Sequence, residues 1–425
     1  MRAVAPVRVV ALMAAAIALI ANAGIPTADA STAYGTTTPL AQLDGRLLVA
    51  HGDNFMGGAM VMQTELQTAS GAVSLELPAS EHSRALELAG QRVRVLGSRV
   101  TSSFAAASLS PAVVETAATA RAAKPAATMR TMRIAVVLMR LPGSTAEPVT
   151  KSSVQSSTFG ATNSVANWYA QMSGKQVAVT GTVYGYYTGV RSCDLSTQTR
   201  VAEAAAEKNG YVATNFDHLV VYAPPQACGF AGMGWVGANG VFLNGTVNRG
   251  VMEHELGHNL GLWHAGAYAC GVAPLSGSCL VDYGDPTDVM GATQPNHGYS
   301  AEHKFELGWM PSSEVRTVAT GTQTIALTAA ENPLVSGSIE LIHVRATDGT
   351  LYAVDRRTST GYDTGLSGVW IREVASVDTD DAELVRTTAF APGQTFTSSV
   401  HHVTIKTLAD SGPTASVRVC VGSCN

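Results

Sequence analysis

Eleven consecutive residues, 254–264, read HELGHNLGLWH, and their spacing constrains the local fold more than any other part of the chain. If residues 251–260 are helical, His254 and His258 lie one turn apart on the same helix face, so both imidazoles can reach one metal ion. Gly261 can take a positive φ without steric cost, which ends the helix and returns His264 toward the same point. The motif therefore predicts a helix, a glycine turn and a site with three histidine ligands.

The chemistry of this site is predicted by its ligand set. Three neutral imidazoles leave the fourth position of a tetrahedral zinc ion open, which is the arrangement of catalytic rather than structural sites. Glu255 lies beside the ion rather than on it, where it can accept a proton from the attacking water. The motif predicts a zinc-dependent endopeptidase that hydrolyses peptide bonds by zinc-activated water, with Glu255 as general base.

Two other functions are compatible with the same residues. A secreted binding or adhesion protein could keep a structural metal site only to stabilise its fold, although such a site needs no base and prefers four protein ligands. A zinc hydrolase acting on bonds other than peptide bonds would use the same chemistry. The motif favours the peptidase over both.

A methionine follows the third histidine. Met290 lies 26 residues after His264, in the sequence DVMG. The extended zinc motif is accompanied by a methionine turn, which forms an apolar floor beneath the ligands. A methionine before a glycine often only fills a gap in a core. Its position downstream of His264 favours Met290 as the turn residue.

Three stretches of the sequence together resemble one family of peptidases. They are HELGHNLGLWHA at 254–265, YGDPTDVMG at 283–291 and KFELGW at 304–309. With these motifs the chain resembles the metzincins, and within that clan it is most similar to the gametolysin-like peptidases. The resemblance covers about residues 133–310. It implies the following roles: zinc ligands His254, His258 and His264, general base Glu255, and turn residue Met290.

The sequence departs from the pattern of the clan at one position. Some metzincins place a tyrosine two residues after the turn methionine, where it assists the transition state, but this chain has Ala292 there. Tyr299 is nearby in the sequence, yet nothing in its spacing places it on the metal. The sequence therefore assigns no tyrosine a catalytic role.

The first thirty residues carry the features of a secretory signal peptide. Arg2 and Arg8 precede an apolar run at 9–20, and small residues flank a candidate cleavage site at 28–30. A membrane anchor would need about 20 apolar residues, and Pro26 is among the residues that interrupt this run. We expect a secreted, extracellular protein without a membrane anchor.

The cysteine and charge content agree with that location. The chain has six cysteines, an even number without C-x-x-C spacing, which indicates disulfides rather than a metal role. Proximity favours three pairs among the 15 connectivities that six cysteines allow: Cys193 with Cys228, Cys270 with Cys279, and Cys420 with Cys424. Charged residues make up only 14% and the net charge is −5 without basic runs. The low charge content and the absence of basic runs argue against nucleic acid as a partner. We expect a monomer that acts on a protein or peptide substrate.

The pattern of apolar residues and turns divides the chain into five segments. Residues 1–30 are the signal peptide, 31–116 form a small β domain, and 117–128 form a linker rich in Ala and Thr. Residues 129–310 are predicted as an α/β metzincin-type catalytic domain, with a mixed sheet plus the zinc-binding helix. Residues 311–425 are predicted as a C-terminal β-sandwich, because alternating runs flank a strong Asp-Gly hairpin signal.

The β domain at 31–116 is interpreted as a propeptide that keeps the enzyme as a zymogen, with a retained accessory domain as the alternative. A processing protease could cut in the linker at 117–128. No cysteine precedes Cys193, so a thiolate from this region cannot block the zinc. We expect the region to cover the cleft or to offer another ligand, such as His51 or Asp53.

Two further motifs are weaker. Residues 232–237 match the dinucleotide fingerprint GxGxxG, but a strand rather than a helix is predicted to follow, so the match is accidental. This glycine-rich stretch is better suited to receive an extended substrate by strand addition. Asp282, Asp285 and Asp288 could contribute to a calcium site, although such residues more often form turns.

Overall fold

The computed structural model describes residues 40–55, 61–100, 103–111, 130–271, 274–293, 297–331, 337–374 and 382–423. The signal peptide at 1–30, the linker at 117–128 and the pairing of Cys424 lie outside these residues. None of the helices in the described part of the chain is long and apolar enough to cross a membrane. The described fold is mixed and rich in sheet, with few helices.

Five strands near the N-terminus close into a small barrel, here called the N-terminal barrel. They are β1 (Ala41–Asp53), β2 (Val61–Thr68), β3 (Gly71–Glu76), β4 (Arg92–Val100) and β5 (Ser103–Pro111), with helix α1 (His82–Glu87) between β3 and β4. The strand order is β2-β3-β5-β4-β1, and β1 also pairs antiparallel with β2, so the ring closes. Leu47, Val49, Val93 and Phe104 belong to its apolar interior.

The next unit is a sheet covered by helices on both faces. Its strands are β6 (Arg130–Arg140), β7 (Val177–Thr188), β8 (His218–Ala223), β9 (Gly232–Trp235) and β10 (Val241–Asn244). They lie in the order β9-β10-β8-β6-β7. The last four are parallel, and only β9 runs antiparallel to its neighbour β10. Ile134 and Val136 pack in one core and Ala135 and Val137 in another, as expected for parallel strands buried on both faces.

Four helices cover this sheet, and each begins at a polar cap. They are α2 (Lys151–Phe159), α3 (Val165–Met172), α4 (Leu195–Glu207) and α5 (Arg249–Leu260). The side chains of Thr150, Ser164, Asp194 and Asn248 accept the first free backbone N–H groups, which stabilises the helix starts. Helix α2 was not predicted, because its polar sequence offers few apolar residues and it buries only Val154 and Thr158.

The N-terminal barrel is joined to this sheet edge to edge. The end of β1 pairs antiparallel with β9, with Ala50 opposite Trp235 and Asp53 opposite Gly232. Because side chains alternate along a strand, Leu47 points into the barrel and Leu48 into the core shared with the neighbouring sheet. The two units therefore form one continuous sheet of ten strands.

Two more sheets follow, packed around a common core. The strands are β11 (Ala267–Tyr268), β12 (Leu280–Val281), β13 (Val315–Val318), β14 (Gly321–Thr328), β15 (Leu341–Arg345), β16 (Leu351–Arg357), β17 (Gly368–Val374), β18 (Ala382–Leu384), β19 (Thr395–Ser398), β20 (Val403–Ser411) and β21 (Thr414–Val421). The longer sheet has the order β12-β11-β18-β17-β16-β15-β13 and the shorter one β14-β21-β20-β19. Helix α6 (Ala301–Glu306) precedes β13. Val344, Ile371, Val403 and Val419 belong to the shared core.

Strands β11 and β12 come from the segment just after the histidine motif, yet they belong to the C-terminal sheet. Ala267 of β11 pairs with Leu384 of β18. The boundary predicted at residue 310 therefore falls within the strands of one sheet, because β11 and β12 precede it in the chain and pair with strands that follow it.

Two of the expected disulfides are formed. Cys193 is bonded to Cys228, and Cys270 to Cys279. The first joins the segment before α4 to the segment before β9, and the second closes the loop between β11 and β12. No free cysteine occurs in the part of the chain that the structure describes.

Candidate metal centre and active site

Helix α5 carries the first two histidines of the motif. Asn248 caps its start through hydrogen bonds from Gly250 and Val251, and Gly261 ends it with a φ of 106°. The helix is buried along almost its whole length, with His254 and His258 fully shielded from solvent. The left-handed glycine reverses the chain, as the sequence predicted.

Each of the three histidines is oriented by a hydrogen bond at Nδ1. That atom lies 2.8 Å from the carbonyl oxygen of Val289 in His254, and 2.8 Å from that of Leu262 in His258. In His264 it lies 3.2 Å from Oδ1 of Asp282. These oxygens can only accept, so Nδ1 donates in each ring, and Nε2 of the neutral imidazole is then available to a metal ion, as in histidines that bind metals.

The three Nε2 atoms converge on one side chain from the N-terminal barrel, Asp53. Its Oδ2 lies 3.3 Å from Nε2 of His254 and 3.3 Å from Nε2 of His258. Its Oδ1 lies 3.1 Å from Nε2 of His264. All four ligand atoms fall within 4.8 Å of one another, so the structure assembles a possible metal-binding group of three histidines and one aspartate.

The residues of this group fit a divalent cation. Asp53 is 0% exposed, and its Oδ2 and the Nε2 atoms of His254 and His258 are buried without a hydrogen-bond partner. Buried polar atoms without partners are costly unless a ligand such as a cation satisfies them. Three imidazoles and a carboxylate are the kind of donor set that zinc prefers.

The electrostatics of the group also favour positive charge at this point. Burial alone would raise the pKa of Asp53, but the surrounding imidazoles hold it well below its usual range. Burial lowers the pKa of His258 to about 4. For His264 burial also acts to lower the pKa, but Asp53 and Asp282 outweigh it and raise the value to about 10.

Glu255 lies next to this group without belonging to it. Both of its carboxylate oxygens are buried, and no donor of the described residues reaches either one. Burial, followed by the negative charge of Asp53, raises its pKa well above the usual range for glutamate. A buried carboxylate with a raised pKa beside a group of metal-type ligands is a typical proton carrier.

Two glycines of β9 make room for Glu255. A Cβ at Gly232 would overlap the Glu255 carboxylate, and one at Gly234 would lie 2.7 Å from the Glu255 carbonyl oxygen. The glycine-rich sequence that matches the nucleotide fingerprint thus belongs to strand β9, which packs against helix α5. Its glycines allow close approach of strand and helix.

We expect Gly232→Ala to lower turnover by roughly 100-fold, because the added methyl displaces the Glu255 carboxylate and misplaced catalytic groups cost about that much. The zinc content should stay unchanged, since Gly232 touches no histidine of the group. Steady-state kinetics and metal analysis would check both. Gly277→Ala is the matched control, since a Cβ there meets nothing within 4 Å, and equal loss in both variants would contradict this explanation.

Met290 lies beneath the helix, where a methionine turn was predicted. It is 0% exposed, and its sulfur occupies the space that a side chain at Gly257 would need. Asp288 fixes the turn: its Oδ1 accepts the Met290 backbone N–H at 2.9 Å and its Oδ2 that of Ser300 at 2.7 Å. The turn also supplies the Val289 carbonyl that orients His254.

The family model that matches this chain covers residues 133–382, and its description is gametolysin peptidase M11. That match spans more than half of the 425 residues. The chain belongs to the gametolysin peptidase family. As a member it is a peptidase of a metallopeptidase family, and a peptidase acts on protein or peptide substrates. The family region extends past residue 310, so it includes the strands from β13 to the start of β18.

Other comparisons add little to the family assignment. No curated protein matches the chain. A solved structure titled "Structure of a chaperone-substrate complex" aligns with 56% of this chain and 35% of its own, at 15% sequence identity and a TM-score of 0.24. That similarity is too low to indicate a shared fold.

Several side chains around the site of this gametolysin-family peptidase were not assigned from the sequence. The Tyr283 hydroxyl donates a hydrogen bond to Oδ1 of Asp53 at 2.5 Å. Burial, and then the charge of Asp53, raise the pKa of Tyr283 well above its usual value, so the hydroxyl remains a donor. Phe55 packs its ring against His254 at a centroid distance of 4.9 Å. The sequence around Tyr283 and Phe55 contains no pattern that predicts these contacts, because only the fold brings the two side chains to the histidines.

The two barrel residues suggested from the sequence have different surroundings. Asp53 enters the metal-binding group, whereas His51 lies beside it, with its ring centroid 5.1 Å from that of Trp263 and 4.9 Å from that of His264. Burial lowers the pKa of His51 to about 3. His51 therefore contributes a neutral ring that packs against the site.

The three aspartates considered for calcium have separate partners. Asp282 accepts from His264 and from the Tyr283 backbone. Asp285 forms an ion pair with Arg372 at 2.9 Å, and Asp288 caps the methionine turn. Among the described residues, the group of metal-type ligands that lies within 4.8 Å is Asp53 with the three histidines, so these aspartates act here as loop-fixing residues.

Proposed function

We propose that the protein is a secreted zinc-dependent endopeptidase of the metzincin type in which Glu255 is the general base. The observation that carries the proposal is the convergence of three histidine ligand atoms on one buried point, beside a Glu255 carboxylate whose buried oxygens have no hydrogen-bond donor among the described residues. A structural zinc site needs neither an open position nor a neighbouring base.

His254, His258 and His264 would hold the zinc ion, with calcium playing no part in this site. Bound zinc would polarise the scissile carbonyl and lower the pKa of water toward about 7. Glu255 accepts a proton from the water as its oxygen attacks the carbonyl carbon, and passes that proton to the amine nitrogen as the C–N bond breaks.

Strand β9 would bind the substrate backbone. It is the antiparallel edge of the central sheet, and in this structure its outer edge pairs with four residues of β1 from Ala50 to Asp53. A substrate strand that replaced β1 would form the same ladder of backbone hydrogen bonds. The edge would thereby hold the scissile bond next to the histidines and Glu255.

The N-terminal barrel would keep the enzyme latent as a zymogen. With zinc bound to the three histidines, Asp53 would take the place of the attacking water, and β1 occupies the edge of β9 that a substrate strand would need. Neither water nor substrate could then enter the site. Further contacts fasten the barrel: Gln63 of β2 donates to the Cys193 carbonyl at 2.6 Å and accepts from the Leu195 backbone at 2.8 Å. Removal of residues 31–128 by a cut in the linker would release the site.

Secretion and the monomeric state are part of the same proposal. The sequence features of residues 1–30 support export, and the disulfides Cys193–Cys228 and Cys270–Cys279 suit an oxidising compartment. The alternative of a secreted binding or adhesion protein with a structural metal site is disfavoured by Glu255, which such a site would not use.

Cleavage of a broad peptide library would test the proposal. The folded full chain, loaded with zinc and nicked in its linker by limited trypsin digestion, is assayed after trypsin has been inhibited. We expect cleavage that a chelator abolishes and added zinc restores. A nicked protein that binds zinc but cuts no peptide would instead support the binding or adhesion function.

A further inference from the structure

The hydroxyl of Tyr283 is aimed at the centre of the metal-binding group. It lies 2.5 Å from Oδ1 of Asp53, and the same oxygen lies 3.1 Å from Nε2 of His264. The rings of Tyr283 and His264 are stacked obliquely, 4.1 Å apart between centroids. The hydroxyl therefore reaches the position that faces the open side of the three histidines.

Asp53 stands in for a reacting group at that position. Its carboxylate oxygen carries negative charge, as does the oxygen of a scissile carbonyl while water attacks it. Hydrogen bonds from a hydroxyl to a charged oxygen are typically about 2.5–2.7 Å long. The Tyr283 hydroxyl is already at that distance from the charged oxygen, which is the geometric requirement for stabilising an oxyanion.

The backbone of Tyr283 has an unusual conformation, which a hydrogen bond with Asp282 stabilises. Its φ is 55°, a left-handed value that bulky residues rarely adopt and that occurs mainly at functional sites. Oδ1 of Asp282 accepts the Tyr283 backbone N–H at 3.0 Å and also faces Nδ1 of His264 at 3.2 Å. One carboxylate thus ties the tyrosine to a histidine of the group.

We propose that Tyr283 is a further catalytic residue, which donates a hydrogen bond to the oxyanion of the scissile peptide once Asp53 has left. The inference rests on the proposed peptidase function. Tyr283 keeps its proton throughout: the water oxygen bonds to the carbonyl carbon, the C–N bond breaks, and the transferred proton travels by way of Glu255 to the amine. The competing role is a latch that only holds Asp53 in the latent chain.

A matched control is available at a second buried tyrosine that contacts helix α5. The Tyr299 hydroxyl lies 3.3 Å from the Glu253 carbonyl oxygen and 3.4 Å from the Tyr169 hydroxyl. It is fully buried, and its hydrogen-bond partners are not members of the metal-binding group. Tyr299→Phe therefore removes a buried hydroxyl near the site without touching the reacting groups.

The test compares Tyr283→Phe, Tyr299→Phe and the parent as zinc-loaded full chains, before and after limited trypsin digestion. In the digested form we expect Tyr283→Phe to lower kcat about 100-fold, the usual effect of losing one oxyanion donor, with KM within about twofold of the parent. The zinc content should be equal in all three. Binding of a phosphinic peptide, a tetrahedral anion, should weaken by a similar factor in calorimetry, whereas binding of an uncharged peptide amide of the same side-chain sequence should not change.

The outcomes separate the two roles of Tyr283 and the proposed function itself. If digested Tyr283→Phe keeps the parent's kcat and phosphinic peptide affinity while the undigested variant gains activity, the residue is only a latch and the catalytic role is overturned. An equal loss in Tyr299→Phe would overturn it as well, because the effect would be structural. If the digested parent cuts no peptide although zinc is bound, the peptidase proposal fails, and the assignment of Tyr283 fails with it.

Discussion

Glu255→Ala should abolish most peptide cleavage while leaving zinc binding intact. Its carboxylate lies beside the histidine group and is buried without a donor, so removing it deletes the proton carrier but no ligand. General acid–base groups contribute up to about 10⁴-fold, and we expect kcat to fall by roughly 10³- to 10⁴-fold on that basis. The change is measured on the trypsin-nicked, zinc-loaded full chain.

His258→Ala provides the contrast for this variant. It removes a ligand nitrogen that lies 3.3 Å from Asp53, and should therefore lose zinc and cleavage together. Metal analysis of the purified proteins distinguishes the two kinds of loss. A Glu255→Ala protein that retained the parent's turnover would refute the assignment of the base, whatever its zinc content.

Asp53→Ala should make the undigested full chain active. In the parent, the Asp53 carboxylate contacts all three histidines from a fully buried position. One charge-assisted contact is worth about 1.5–3 kcal/mol, which corresponds to a roughly 10- to 100-fold shift between closed and open forms. We expect peptide cleavage by the undigested variant to rise by that factor, and a chelator to remove its zinc faster.

The gain should be partial, because β1 remains paired with β9 after the substitution. Limited trypsin digestion should therefore raise the activity of the variant further, to the level of the digested parent. Asp44→Ala serves as the control, since Asp44 lies on the same strand but forms an exposed ion pair with Arg94 and an exposed hydrogen bond with Gln42. Equal activity of the undigested parent and undigested Asp53→Ala would contradict latency by this contact.

The local parts of the site could be predicted because they depend on helical periodicity and on one turn. Histidines four residues apart must share a face of any helix, and Gly261 must be able to adopt the φ of 106° that it has in the structure. The end of the helix and the glycine turn followed from those short-range rules, whereas Met290 was predicted from the extended zinc motif. The contacts of charged loop residues did not follow from them, and Asp282, Asp285 and Asp288, considered for a calcium site, have three separate sets of partners.

Strand β9 shows why residue propensities alone do not predict every strand of the sheet. Its sequence GMGW has little preference for a strand, and it forms one because β10 and β1 supply backbone partners on both sides. The glycines matter for a tertiary reason, the close approach of Glu255. Strand propensity is a property of one segment, whereas the formation of a strand in a sheet also depends on the strands that pair with it.

The sequence by itself determined which residues we propose as metal ligands and as the base, since a helix and a left-handed glycine bring them together over eleven residues. Only the tertiary structure decided that Asp53, 211 residues before His264, is the fourth member of the group and that the Tyr283 hydroxyl reaches it. Those contacts depend on the pairing of β1 with β9 and on loop conformations held by long-range hydrogen bonds. Such contacts leave no periodic signal in the chain, because the partners are brought together by packing and not by spacing.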